Sequence, residues 1–134
     1  MLRYGVVSVV SGLLFGVLDA AINANALAQR LYLVFQPIAR TSVDPAAGIA
    51  IDLAYGFALA GIFLRLHPSL PGPTGLLKGL SFGALVWLLR VVMSVASQWV
   101  MFDVPAGALI YTLVTGLAEM LALGILYGLT LEPA

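Results

Sequence analysis

The sequence contains no cysteine and a single histidine, His67. Without a thiol, the chain cannot form a disulfide, present a thiolate nucleophile or bind a metal ion through a cysteine. Charge is also scarce, because six basic and six acidic residues make up 9% of the chain and leave a formal net charge of zero. A neutral chain this poor in lysine and arginine lacks the basic surface that nucleic acid requires. We therefore expect no nucleic-acid partner.

Apolar residues take the place of the missing charges. They make up 62% of the 134 residues, and the mean hydropathy is +1.09. A soluble domain carries charge on about a quarter of its residues, so this composition indicates an integral membrane protein whose first partner is the lipid bilayer. The length is that of one domain, a single membrane domain covering residues 1–134.

Four apolar stretches divide the chain, each close to the ~20 residues that a helix needs to cross a bilayer. Three polar breaks separate them: PIARTSVDP at 37–45, HPSLPGPTG at 67–75, and Asp103 with Pro105. Proline and glycine interrupt helices, which makes these segments turns. The pattern predicts an all-α fold, an integral membrane four-helix bundle with both termini on one side. The predicted spans are about 4–24, 46–66, 76–100 and 107–131.

The segment between the first two spans allows two interpretations. LAQRLYLVFQ, residues 27–36, is apolar but contains Gln29, Arg30 and Gln36. It either extends the first helix or lies along the membrane interface, where tyrosine and arginine are common. We favour an interfacial segment between helices 1 and 2.

Basic residues at the span ends bear on orientation. Three of them flank the side of the termini, namely Arg3, Arg65 and Lys78, and two flank the opposite side, Arg30 and Arg40. Because basic residues accumulate on the cytoplasmic side of membranes, this excess predicts cytoplasmic N- and C-termini in a multi-pass protein of the cell membrane.

The two halves of the sequence resemble each other. GLLFG at 12–16 returns as GLSFG at 79–83, an offset of 67 residues, which is half of the chain. The same offset places Asp52 on Glu119, and acids inside membrane spans are rare. This internal repeat predicts two tandem helical hairpins, an arrangement known in transporters, whose binding sites lie between the repeats.

Each predicted span carries one ionisable residue in its interior: Asp19, Asp52, Arg90 and Glu119. Counting from the span centres at about 1.5 Å per residue places all four within a layer of roughly 8 Å, displaced towards the side opposite the termini. A lone arginine that faces lipid is costly. Arg90 facing three carboxylates becomes their counter-ion instead, so we expect the four charged faces to converge inside the bundle.

Helical spacing adds polar and aromatic neighbours to this charged layer. Asn23 shares a stripe with Asp19, and Tyr55 shares one with Asp52. Trp87 and Ser94 lie on the stripe of Arg90, and Trp87 is expected to stack on its guanidinium. The expected ion- or solute-binding residues are Asp19, Asn23, Asp52, Tyr55, Trp87, Arg90, Ser94 and Glu119.

The charge count of the layer favours transport. Three ionised acids and one arginine leave a charge of −2 (−3 + 1) inside the membrane, which is costly unless a carboxyl is protonated or a cation is bound. We expect a proton-coupled carrier or channel for a small cationic solute, in which Glu119 or Asp52 exchanges the proton while Arg90 pairs with Asp19. The alternative is a structural accessory subunit of a larger membrane complex, with the charged layer as scaffolding. Assembly as a homo-oligomer or within a larger complex stays open.

Nothing in the sequence favours an enzyme. His67 lies in a proline- and glycine-rich turn beside Pro68, where a histidine is usually exposed to solvent. No nucleophile–base pair or cluster of metal ligands accompanies the carboxylates. We therefore expect no catalysis, no cofactor and no metal site.

Overall fold

The computed structural model describes residues 2–38 and 45–131, and within these ranges it contains helices and no strand. Arg40, one of the basic residues from which the orientation was predicted, lies outside the described residues. Two short 3-10 helices cover Leu33–Ile38 and His67–Ser69. The longer elements are α1 (Leu2–Ala24), α2 (Ala26–Leu31), α3 (Pro45–Leu66), α4 (Gly75–Met101) and α5 (Ala106–Thr130).

Four of these helical stretches are long and apolar enough to cross a membrane. They contain 23, 25, 27 and 25 residues, against the ~20 residues that span the hydrocarbon core. The predicted all-α four-helix bundle is confirmed, and the chain is a multi-pass membrane protein. The observed spans are Leu2–Ala24, Pro45–Ser69, Gly75–Met101 and Ala106–Thr130.

Asn25 ends the first span and starts α2. Its backbone is extended, and its Oδ1 accepts a hydrogen bond from the Ala28 amide at 2.8 Å, which caps the short helix. Its Nδ2 donates to the Ile22 carbonyl and to the Tyr111 hydroxyl, both at 2.8 Å. Ala28 is fully buried. The segment 27–36 therefore does not extend α1, because the chain turns at Asn25 and α2 packs on α5.

Glycines bring α1 and α3 into backbone contact. A β-carbon on Gly12 would lie 2.8 Å from the Asp52 carbonyl oxygen and 2.9 Å from the α-carbon of Leu53. A β-carbon on Gly56 would collide with the Ser8 carbonyl oxygen. Small residues allow this approach between membrane helices, and the contacts run in opposite directions along the two helices. α1 and α3 thus form one antiparallel hairpin.

The second hairpin, α4 with α5, is joined in the same way. A β-carbon on Gly79 would collide with the Gly124 carbonyl oxygen, and one on Gly83 would lie 2.6 Å from the carbonyl oxygen of Met120. An offset of 67 residues carries the Gly12 contact point onto Gly79, and it carries Gly56 to the residue before Gly124. The crossing points of the two hairpins therefore agree to one residue with the repeat seen in the sequence.

An aromatic cluster joins the two hairpins. The rings of Phe63 and Phe82 lie 5.3 Å apart, and the Tyr127 ring lies 5.8 Å from Phe63 and 6.1 Å from Phe82. All three side chains are buried, so they form the centre of the apolar core. They lie on the half of the bundle nearer the chain termini.

The helix directions place the turns on two sides. α1 and α5 are antiparallel, since Ser11 contacts Tyr127 and Asn25 contacts Tyr111. The start of α1, the end of α5 and the turn between α3 and α4 therefore lie on one side, and α2 lies on the other. This helix order places the start of α1 and the end of α5 on the same side of the bundle, which is the arrangement expected from the sequence.

Candidate functional site

Arg90 lies in a π-helical stretch of α4, Trp87–Val92. A π turn accommodates an extra residue and interrupts the regular α-helical hydrogen bonding, and such stretches are frequent at functional sites. On the same stretch Val91 is buried, and a β-carbon on Gly116 would lie 2.8 Å from its side chain. The π stretch is therefore held against α5. Sequence reasoning gave no indication of it.

The guanidinium of Arg90 rests on two aromatic rings of the other hairpin. Its Cζ lies 5.0 Å from the ring centroid of Phe15 and 5.0 Å from that of Tyr55. The two rings are stacked on each other at 5.0 Å with an interplanar angle of 14°. A cation within ~6 Å of a ring face is attracted by the ring's quadrupole, more strongly where water is excluded. Arg90 therefore links α4 to α1 and α3.

Arg90 does not form the predicted bond with a carboxylate. Within the described ranges no carboxylate oxygen lies within the 4.0 Å of an ion pair, and the buried Nε has no hydrogen-bond partner. The expected pair with Asp19 is therefore wrong at the level of direct contact. The two charges still interact across a longer distance, since Arg90 acts electrostatically on both Asp19 and Glu119. The rings of Phe15 and Tyr55 therefore contact the guanidinium where the sequence analysis expected a carboxylate.

Glu119 is the most deeply buried acid of the charged layer. Only 4% of its surface is exposed, and its buried Oε1 has no hydrogen-bond partner. Asp19, Arg90 and Asp52 all act on its carboxyl electrostatically. A buried polar atom without a partner costs roughly 1–3 kcal/mol. A proton or a cation bound at the Glu119 carboxyl would remove this cost.

Asp52 projects from α3 against Gly16 of α1. A β-carbon on Gly16 would lie 2.7 Å from Oδ2 of Asp52, so the carboxylate occupies the space that any larger residue would fill. Asp52 is also among the residues that line a groove of about 270 Å³ between α1 and α3. The groove is lined by Gly12, Leu13, Gly16, Val17, Ala20, Ile49, Asp52 and Leu53.

Asp19 lies one helical turn beyond Gly16 and is half-buried. Arg90 and Asp52 act on its carboxyl electrostatically. Asn23, one turn further along α1, is exposed and donates from Nδ2 to the Asp19 backbone carbonyl at 2.8 Å. That bond satisfies Asn23 within its own helix, so the structure places it at the edge of the charged layer and not inside it.

Two predicted neighbours of Arg90 point elsewhere. Trp87 does not stack on the guanidinium, because its Nε1 donates to the Leu113 carbonyl at 2.9 Å. Ser94 is exposed, whereas Val95 is buried. The prediction assumed regular α-helical spacing, and the extra residue of the π turn displaces every later position around the axis. Ser94 therefore leaves the stripe that Arg90 occupies.

A second buried polar group lies nearer the termini, and sequence reasoning missed its central member. The Tyr127 hydroxyl donates to Ser11 Oγ at 2.9 Å and lies 3.4 Å from the Gly56 carbonyl oxygen. Ser11 donates in turn to the Ser8 carbonyl at 2.9 Å. Ser8 and Ser11 lie one turn apart on α1, whereas the tyrosine that joins them comes from the far end of the chain.

The residues of the charged layer do not form a metal site of the usual kind. Within the described part of the chain, no group of three His, Cys, Asp or Glu side chains is close enough to hold a metal ion. No family model, curated protein or solved structure matches this chain. The proposed function therefore rests on the charged layer of Glu119, Asp52, Asp19 and Arg90.

Proposed function

We propose that this protein is a proton-coupled carrier for a small cationic solute, and that Glu119 is its central proton-exchanging group. The observation that carries the proposal is the buried Oε1 of Glu119, which has no partner among the described residues. Structural ion-pair networks in apolar surroundings satisfy their buried oxygens. A buried oxygen without a partner, on a carboxyl that interacts with three other charges, supports a site that is filled by an exchangeable occupant.

The charge balance defines that occupant. Three carboxylates act on one another, with one guanidinium as the compensating charge. If all three acids were ionised, the layer would carry −2 (−3 + 1), and uncompensated charge is costly inside a membrane. Protons or a bound cation remove this cost. Because both reduce the same negative charge, binding of one favours release of the other, which is the basis of coupling.

The residues divide into fixed and exchanging parts. Arg90 is held on the rings of Phe15 and Tyr55, so its charge is stationary. Glu119 and Asp52 have no such restraint on their carboxylates among the described contacts, and they interact with each other. We assign proton exchange to this pair, and to Arg90 the role of keeping the layer from binding cations too tightly to release them.

We propose the cell membrane as the location of this protein. The excess of basic residues on the side of the termini favours cytoplasmic N- and C-termini in the cell membrane. On that side the Lys78 ammonium donates to the carbonyls of His67 and Leu70 at 2.8 and 2.9 Å. These bonds close the turn between the hairpins around a positive charge.

A second candidate function is an accessory subunit of a larger membrane complex. The contact of Arg90 with two rings of the other hairpin favours it, because that contact fixes the relative position of the hairpins without any solute. In this alternative the charged layer is scaffolding. Purification in mild detergent separates the two, since a scaffold is recovered with stoichiometric foreign subunits and a carrier as a monomer or homo-oligomer.

Proteoliposomes with an imposed pH gradient test the carrier directly. The wild-type protein should move protons against potassium, ammonium or an alkylammonium ion, and Glu119→Gln should abolish this exchange while keeping the size-exclusion profile of the wild type. Asp103→Asn is the matched control, because Asp103 is exposed in the turn before α5. Its exchange should equal that of the wild type.

Two results would contradict the carrier. The first is wild-type vesicles that are as tight to protons and to all three cations as protein-free vesicles. The second is exchange in Glu119→Gln at the wild-type rate, which would move the function away from the charged layer.

A further inference from the structure

The groove between α1 and α3 opens on the outer surface of the bundle. Three residues of its walls, Leu13, Val17 and Ile49, are 53%, 66% and 54% exposed. They lie in membrane-spanning stretches, where an exposed apolar side chain faces lipid. Among the described residues that line the groove, Asp52 carries the one charge. The groove therefore connects the hydrocarbon of the membrane to a carboxylate.

Asp52 also belongs to the inner charged layer. It acts electrostatically on Asp19 and on Glu119, while its Oδ2 lies against Gly16 in the groove. The same carboxylate thus has an outer apolar side and an inner charged side. A cation bound to Asp52 in the groove would therefore contact one member of the proton-exchanging pair of Asp52 and Glu119.

The walls select the kind of cation that can enter. A bare inorganic ion cannot cross hydrocarbon to reach the groove, because its desolvation costs far more than one carboxylate returns. A neutral apolar molecule would fill the walls but would leave the charge of Asp52 uncompensated. An amphiphilic organic cation satisfies both, with its apolar body against the walls and its charged head at Asp52. The volume of about 270 Å³ admits a body of roughly one aromatic ring or a short alkyl chain.

We propose that this groove is a lateral entry site, at which a small amphiphilic organic cation passes from the membrane to Asp52. The inference rests on the proposed carrier function and adds the substrate class and its route. Glycine at position 16 leaves the space in which the Asp52 carboxylate lies, and Ala20 lines the groove one helical turn further along α1. At Gly16 the space is taken by the Asp52 side chain, since no backbone atom of α3 is among the nearest heavy atoms.

Binding to the protein in lipid nanodiscs tests the substrate class. Benzyltrimethylammonium is the probe, tetramethylammonium lacks its apolar body, and neopentylbenzene is its neutral isostere. After subtraction of binding to empty nanodiscs, benzyltrimethylammonium should bind at least tenfold more tightly than either. Asp52→Asn should weaken its binding at least tenfold.

Filling the groove tests the route. Ala20→Trp places a large ring in the groove without changing any charge, and Val17→Trp does the same from an exposed position. Ala54→Trp is the control, because Ala54 is exposed on α3 outside the groove. The two groove variants should each reduce benzyltrimethylammonium binding at least tenfold, and the control should bind as the wild type does.

The possible outcomes distinguish the lateral entry site from the carrier function. Unchanged binding in folded Ala20→Trp and Val17→Trp would overturn the entry site. It would leave the carrier intact if Glu119→Gln still abolished proton-coupled exchange. A native dimer that either groove variant converts to a monomer would also overturn the proposal, because a second copy of the chain would then occupy the groove.

Discussion

A methyl group added to Gly16 would lie 2.7 Å from Oδ2 of Asp52, and the nearest heavy atoms around that position all belong to the Asp52 side chain. Two other glycines of this hairpin differ, since a β-carbon at Gly12 or Gly56 would meet the backbone of the neighbouring helix. Gly16 therefore makes room for a carboxylate, whereas Gly12 and Gly56 allow the helices to approach. The distinction leads to opposite expectations for substitution.

Gly16→Ala should fold but should impair the function of Asp52. The obstructing atoms are the far end of a flexible side chain, so the carboxylate can rotate away at little cost to stability. We expect benzyltrimethylammonium binding in nanodiscs to fall at least threefold, with the unfolding temperature close to that of the wild type. Gly48→Ala is the control on the same side of the bundle, because a β-carbon there meets nothing within 4 Å. Equal binding by the two variants would show that the position of Asp52 does not matter.

Gly79→Ala should destabilise the second hairpin. Its β-carbon would collide with the backbone carbonyl of Gly124, and a backbone atom can yield only if the helices separate. Overpacking of this kind costs about 1–3 kcal/mol. The measurement is the free energy of unfolding in detergent. Gly5→Ala provides the comparison, since a β-carbon at Gly5 meets nothing within 4 Å. If both variants are as stable as the wild type, α4 and α5 are not held by close glycine contact.

Arg90→Ala should destabilise the bundle by about 2 kcal/mol or more, the scale of a cation–π contact shielded from water. Two rings lose their cation, and the carboxylates of Asp19 and Glu119 lose a compensating charge. Addition of Glu119→Gln should restore part of the loss, because it removes one of those negative charges. Thermal unfolding in detergent measures both effects.

Arg65→Ala is the reference for Arg90→Ala, because Arg65 is exposed at the end of α3. Its unfolding temperature should match that of the wild type. An Arg90→Ala protein as stable as Arg65→Ala would mean that the ring contacts contribute nothing. A double variant less stable than Arg90→Ala would mean that the charge of Glu119 is not opposed by Arg90.

The helix order predicts which turns share a side of the membrane. Single cysteines at Ser69 and Asp103 should react with a membrane-impermeant thiol reagent from opposite sides, because Ser69 follows α3 and Asp103 precedes α5. Both residues are exposed, and the natural chain contains no cysteine that would interfere. A second cysteine variant at Leu2 should label with Ser69. Labelling of Ser69 and Asp103 from one side would contradict the four-span topology.

Periodic and compositional features made the helices predictable. Each span is an apolar run of membrane length bounded by proline, glycine or charge, and these properties act within a few residues of each other along the chain. The repeat at 67 residues also carried information, because Gly12 and Gly79 mark the crossing points of both hairpins. Local sequence is sufficient for such features since a membrane helix satisfies its own backbone hydrogen bonds.

The partners of the charged residues could not be predicted in the same way. Arg90 was expected to bind a carboxylate, yet it lies on Phe15 and Tyr55. Aromatic side chains occur throughout the chain, and their spacing does not indicate which of them another helix will approach. The long side chain of arginine carries its charge away from the backbone, so the guanidinium of Arg90 contacts rings that helical spacing does not assign to it.

The sequence by itself determined that this chain crosses a membrane four times, the approximate limits of the four spans, and which four ionisable residues lie within them. Those properties follow from the cost of exposing charge and backbone to hydrocarbon, which each segment meets independently. The tertiary structure alone decided that Glu119 is buried without a partner, that Gly16 yields its space to Asp52, and that a π turn carries Arg90. These features arise from contacts between helices, where the position of one side chain depends on the packing of all the others.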